Sequence, residues 1–431
     1  MNTKYSDELL EFINQSPTAF NATLTIKKML ENEGYKEIKE QDLWKLNKGD
    51  KYYLIKNSSA IIAMEIGDED IENHGFRLIG AHTDSPTFKI KPCPEMTVEN
   101  SYFKLNTEVY GGPILSTWFD RPLSLAGRVV IKGDSSLEPE ERIVNIDKPL
   151  LIIPSLAIHM NRSVNEGVSI NKQKDVLPLV GLINKEFEKD NYLLSIIEKE
   201  LGIAKEEILD FDLYLYEYEK GTYVGMNQEL ISASRLDDLW MVFAGIKSLI
   251  ESDKISATKV MICIDNEEIG SLTAQGANSA LIERILKRIS LGLEKNEEEY
   301  YRALSKSVMI SADLAHALHP NYVEKHDPVN RPVIGKGPVI KMAASGSYST
   351  DAKSSAIFIS VCKEANVPYQ MFVNRSDVRG GTTIGPVMSS KLNIPVIDMG
   401  APLLGMHSIR ELASVCDNEY TIKAFNRFYS I

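Results

Sequence analysis

Apolar and polar positions alternate along this chain with two different periods. Residues 18–34, TAFNATLTIKKMLENEG, place apolar side chains at helical spacing and end in Gly34, which suits a helix C-terminus. Short β-rich runs come next: YYLI, AIIAMEI and FRLIGA. From about residue 92 the texture changes. Pro92 and Pro94 punctuate the chain, and runs such as RVVIKG and PLLIIP read as strands. Helical patterning returns only over 183–200, INKEFEKDNYLLSIIEKE.

After about residue 232 strands and helices take turns. Over 238–251, DLWMVFAGIKSLIE puts Leu239, Trp240, Phe243, Ile246 and Ile250 on one helical face. TKVMICI reads as a buried strand, ANSALIERILKRI as a helix, KSVMISAD as a strand and DAKSSAIFISVCKEA as a helix. YQMFV and IPVIDM read as strands, and a last helix is expected to begin at SIRELASVCDNEY. The pattern predicts an α/β fold, a mixed sheet sandwiched by helices, interrupted by a mostly β insert. The expected boundaries are 1–91 with 232–431 for the main, discontinuous domain and 92–231 for the insert.

Composition narrows the classes. The 431 residues suffice for about two domains. With 43% apolar and 25% charged residues the chain is of ordinary soluble, globular type. A net charge of −12 without a basic stripe argues against nucleic acid as a partner. Cys93, Cys263, Cys362 and Cys416 are widely spaced and form no CxxC pair, so neither a disulfide framework nor a cysteine zinc site is suggested. The opening MNTKYSDELLEF lacks the basic-then-apolar order of a signal peptide. The longest apolar stretch, PLLIIPSLAI, is broken by prolines and too short to span a bilayer. A cytoplasmic protein without a membrane partner is the expectation.

The chemistry lies in the polar residues at the ends of the apolar runs. In open α/β sheets the ligand site lies beyond the carboxyl ends of the strands. FRLIGA leads into His82-Thr83-Asp84, and VMICI into Asp265-Asn266-Glu267-Glu268. VMISA precedes Asp313, with His316 three residues on, and IPVIDMGAPLLGM precedes His407. Asp237 stands before the 238–251 helix. Singly, each has an ordinary reading: a loop histidine, a solvated acidic turn, a helix cap for Asp237, a turn for Asp313. Together they form a mixed nitrogen and oxygen ligand set suited to divalent metal. Such cations would also offset the repulsion between the adjacent Glu267 and Glu268.

Two further spacings suggest roles. In His82-x-Asp84 the residues point the same way on an extended segment, so Asp84 can accept from the imidazole and orient it. Neighbouring side chains on an extended chain diverge, so one glutamate of the pair can bind metal while the other serves as the base of a hydrolytic site. Spacing alone does not say which does which. HExxH is absent.

The motifs IGAHTDSPTFKIKP, STWFDRPLSLAGRVV, SASRLDDL, CIDNEEIGS, ISADLAHALHPNY, GPVIK, TTIGP and GMHS, in this order, resemble the aspartyl aminopeptidase / aminopeptidase I family of cocatalytic dizinc exopeptidases. The resemblance runs from about residue 15 to 420. It implies two divalent ions per subunit, zinc first, with manganese or cobalt as alternatives. It implies His82 and His407 as ligands to different ions, Asp237 as the bridging carboxylate, and Glu268 and Asp313 as further ligands. Glu267 is implied as general base and Asp84 as the orienting acid. It makes the insert a dimerisation domain whose IHMNR motif carries His159 to a neighbouring subunit's active site, for contact with substrate or, alternatively, metal. It places His316 and Lys341 near the substrate, and it implies a homo-oligomer, a dodecamer built from dimers, acting on peptide N-termini.

Two departures bear on this. Asp238 stands where the family often has Asn. Ser116 and Pro122 stand where aspartate-preferring members typically have His and Asp, which brings the chain nearer the aminopeptidase I branch. The preferred N-terminal residue, neutral or acidic, is left open. The same ligand chemistry suits a dinuclear carboxypeptidase or N-deacylase, and a non-catalytic oligomeric assembly or cargo protein is the alternative of another class.

Overall fold

The computed structural model describes residues 3–183, 191–253 and 255–431. A nine-stranded mixed sheet forms its centre. Its four middle strands, Thr258–Ile264, Phe76–His82, Val308–Ala312 and Val396–Gly400, run parallel, so their carboxyl ends share one edge. Ala60–Glu65 and Lys51–Lys56 extend it antiparallel on one side, and Val339–Lys341 does so on the other.

The apolar pattern explains the sandwich. Alternate residues of one strand face opposite sides of a sheet. Met261 and Cys263 accordingly join one core with Ile79 and Ala81, while Val260, Ile262 and Ile264 join another with Phe76 and Leu78. The first core is closed by the helices Lys4–Asn14, Ala19–Asn32, Leu236–Glu251, Ala352–Glu364 and Val415–Tyr429. The second is closed by Leu281–Gly292, Glu297–Ser305 and Ile384–Leu392. Leu236–Glu251 is buried nearly all round rather than on one face, as befits a helix covered by others. Trp240, near its start, donates Nε1–H to Asn418 Oδ1 at 2.7 Å.

A second, antiparallel sheet takes all six strands from Thr87 to Glu217 and has its own core around Phe88, Trp118, Leu125, Val129 and Leu213. Of the helical pattern over 183–200, residues 184–190 lie outside the described residues, and Tyr192–Leu201 is a helix.

The final segment departs from expectation. Helix does not begin at residue 408. Glu411–Ser414 is a strand, and the helix starts at Val415. The strand pairs antiparallel with Leu230–Ala233, so tertiary pairing prevails over local helical patterning. Among the described residues no helix is long and apolar enough to cross a membrane.

Candidate metal centre

The parallel strand ends bring the polar residues together. His82 closes its strand opposite Ile264, and Asp265–Glu268 come directly after. Asp237 enters from the start of the long buried helix, joined to Asp238 by a cis peptide bond. His407 arrives on the loop after Val396–Gly400. His407, Asn266 and Arg235 all hold left-handed backbone (φ 65°, 63° and 56°), a conformation that non-glycine residues adopt at a cost the surroundings must offset.

Both oxygens of Asp237 face imidazole nitrogen. Oδ1 lies 3.7 Å from His82 Nε2, and Oδ2 lies 3.5 Å from His407 Nε2. Each ring's other nitrogen is held by a backbone carbonyl: His82 Nδ1 lies 3.1 Å from Asp84 O, and His407 Nδ1 lies 3.0 Å from Gly112 O. A carbonyl only accepts, so Nδ1 carries the proton in both rings and Nε2 is the nitrogen left available to a ligand. Glu268 Oε1 completes one side, 3.3 Å from His407 Nε2. Two three-donor groups result, Asp237–Glu268–His407 and His82–Glu267–Glu268, each with its donor atoms within 4.8 Å of one another. A third such group comprises His82, Asp237 and Asp238.

Asp84 fixes the glutamates. Its Oδ1 accepts the Glu267 N–H and its Oδ2 the Glu268 N–H, each at 3.1 Å. Glu411, which the sequence did not single out, accepts the Asp237 N–H at 3.0 Å and the His407 N–H at 2.8 Å. The insert contributes as well. Gly111 has φ 70°, and a Cβ there would sit 3.2 Å from Glu268 Cβ, so glycine permits the close approach of this strand end.

Burial and like charge set the electrostatics. Burial pushes Glu267 up to about 8; the charges of Asp313, Glu268 and Asp84 add to this and His82 opposes it. For His407, burial works against the charged ring, but hydrogen bonds and charge from Asp237 and Glu268 outweigh it and raise the imidazole to about 11. Burial likewise opposes charge on His82, and the carboxylates of Asp238, Asp84 and Glu267 outweigh it, holding that ring well above its ordinary value. Asp238 is pushed well up by burial, against the charge of His82 and with that of Asp313 and Asp237, and accepts the His82 N–H at 3.1 Å.

The residues fit a divalent ion. Asp237 Oδ1 is buried without a hydrogen-bond partner, and it sits in a crowd of carboxylates and imidazoles that calls for positive charge. Of the other residues singled out from sequence, Asp313 is outside the three-donor groups found among the described residues, and its Oδ1 is 3.3 Å from Lys341 Nζ. Lys341 is buried and also donates to Leu314 O at 3.1 Å. His316 is exposed and lines a pocket with His319, Lys325, Arg375 and Arg379. His159 is exposed in an irregular segment between Ile153 and Val176.

A sequence profile for the Aminopeptidase I zinc metalloprotease (M18) family matches residues 12–429. The probable M18 family aminopeptidase 2 of Clostridium novyi (strain NT) is 56% identical over 428 residues, covering 99% of each chain. A chain in the cryo-EM structure of the Ape4 and Nbr1 complex superposes with a TM-score of 0.95 at 36% identity, covering 99% of this chain and 85% of that one. A subunit of the S. cerevisiae mApe1 dodecamer does so with a TM-score of 0.85 at 28% identity, covering 98% and 96%. The chain therefore belongs to the M18 aminopeptidase I family of zinc metalloproteases. It is a zinc metallo-aminopeptidase, a peptide hydrolase.

Proposed function

We propose that this aminopeptidase removes the N-terminal residue from peptides at a centre of two divalent ions, zinc in the first place and manganese or cobalt as substitutes. His82 and His407 would each hold one ion, Asp237 would bridge them, and Glu268 and Asp313 would complete the set. The observation that carries this reading is Asp237, whose two oxygens face the ligating nitrogens of two different histidines. When bound, such ions polarise the scissile carbonyl and make water acidic enough to attack at neutral pH. Glu267, in the second carboxylate group with His82, takes a proton from the attacking water and passes it to the leaving amine. The surrounding carboxylates hold the substrate's α-ammonium and so restrict cutting to the first peptide bond.

The His316 pocket gives the substrate preference. Its lining gathers cationic and imidazole side chains in a chain of net charge −12, which favours an acidic N-terminal side chain over a neutral one. Aminoacyl anilides of Asp, Glu, Leu and Met, each free and N-acetylated, test both statements. Faster cleavage of the free acidic anilides supports them. Preference for acetylated substrate would instead support an N-deacylase.

We assign the insert, expected over 92–231, to the unit built on the Thr87–Glu217 sheet and give it the dimer contact. Leu156, Ile158 and Met160 are 55%, 46% and 71% exposed around His159, an apolar stretch suited to a partner subunit. His159 would there reach the neighbour's active site and stabilise the developing oxyanion. A homo-oligomer is the consequence, with the dodecamer of the mApe1 structure as its expected size. The unpaired cysteines suit a cytoplasmic location.

A further inference from the structure

Glu411 owes its place to a strand pair. Glu411–Ser414 lies antiparallel to Leu230–Ala233 with Glu411 opposite Ala233, four residues before Asp237. His407 lies four residues before Glu411 in turn. A carboxylate only 2% exposed thus reaches two metal-binding segments at once. Oε2 accepts the Asp237 N–H at 3.0 Å, and Oε1 accepts the His407 N–H at 2.8 Å.

Both anchored residues belong to the same three-donor group, Asp237–Glu268–His407. Asp84 does the matching work on the other side, where it holds the N–H groups of Glu267 and Glu268 and the ring of His82. We propose that Glu411 is the positioning residue for the metal ion held by Asp237, Glu268 and His407, fixing two ligands through their backbones without touching the ion. This rests on the two-ion reading.

The chemistry requires a carboxylate. A glutamine offers one acceptor oxygen and one donating amide, so whichever way it turns, either the Asp237 or the His407 N–H faces a donor. A buried N–H without an acceptor is costly, and the segment carrying it moves to find one. His407 is the more exposed to this, because its left-handed φ of 65° must be held by its surroundings.

The test is zinc affinity, read by competition with a chromophoric chelator on chelator-treated protein. Glu411→Gln is placed in two backgrounds, His82→Ala, which keeps the Asp237–Glu268–His407 group, and His407→Ala, which keeps the other. Circular dichroism and thermal melting check the fold. Glu411→Gln is expected to weaken zinc by ~10–100-fold in the first background, where both residues it anchors are present, and by clearly less in the second, where only Asp237 of the two remains. Equal losses in both, or none in the first, would overturn the inference. Where Glu411→Gln does not melt cooperatively, Glu411→Asp, whose arm is one methylene too short to keep both N–H contacts, is judged by the same criteria. Wild-type protein holding a single zinc that either histidine variant abolishes would refute the two-ion reading instead. The inference is then decided by Glu411→Gln alone, and an unchanged affinity overturns it.

Discussion

Tyr110 donates its hydroxyl to Asp84 Oδ2 across 2.8 Å, joining the inserted sheet to the carboxylate that holds Glu267 and Glu268. The same hydroxyl accepts from Asn266 Nδ2 at 2.9 Å, and two residues further on Gly112 O holds the His407 ring. The end of the strand Tyr102–Tyr110 therefore helps hold the Asp84, Asn266 and His407 side chains of its own chain.

Tyr110→Phe removes one hydrogen bond from Asp84 and leaves the Asn266 amide short of an acceptor. Removing such an outer-shell contact costs ~10–100-fold in activity or metal affinity. Turnover of a free aminoacyl anilide, with the zinc content measured on the same sample, should fall by that order while the secondary structure stays intact. Unchanged kcat and zinc content would mean that Asp84 holds its place without the insert.

Asp238→Asn should leave turnover close to wild type. Burial works against charge on the 238 carboxyl, and an asparagine oxygen can accept the His82 N–H in its stead. Asp238→Ala removes that acceptor and should cost about 1–3 kcal/mol in thermal or denaturant stability, the penalty for one unpaired buried N–H. An inactive Asp238→Asn enzyme would show that charge at 238 is needed.

The pH dependence of metal binding stems from the raised groups. Glu267 and Glu411 rise from 4.5 to about 8, in each case chiefly through burial, so in chelator-treated protein they cost no stability below about 4.5 and progressively more as pH approaches 8. His407 rises from 6.5 to about 11 because Asp237 and Glu268 outweigh its burial; its contribution is full below about 6.5 and fades as pH climbs toward 11. Both signs agree. The chelated protein should lose melting temperature from pH 5.5 to 8.5, and zinc binding should release protons and tighten with pH. Calorimetry in buffers of different ionisation enthalpy measures that release, and uptake of protons would contradict the charge assignment.

Glu267→Gln should keep zinc content and assembly while lowering kcat by ~10²–10⁴-fold, the usual contribution of a positioned general base. Wild-type turnover in this variant would remove Glu267 from its assigned role.

Much of the site was legible because apolar runs stop abruptly at polar residues. His82, Asp265–Glu268 and Asp313 each come at the end of a strand of the parallel set, and parallel strands place their carboxyl ends together. Glu411 was not legible. ELAS carries no turn signal before VCDNEY, and only its pairing with residues 230–233 makes it a strand. Tyr110 and Gly112 reach the site from the insert, a long-range approach that no local pattern encodes. The helix Glu297–Ser305 did leave a signal. Asn296 and Glu299 form a capping box before YYRAL, a spacing readable in the sequence and passed over among the surrounding acids.

Anomalous diffraction at the zinc edge from crystals of zinc-loaded enzyme addresses the proposed centre most directly. Two peaks are expected, one on each side of the Asp237 carboxylate, the first beside His82 and the second beside His407. A lone peak, or peaks away from Asp237, would contradict a centre in which that residue joins two ions.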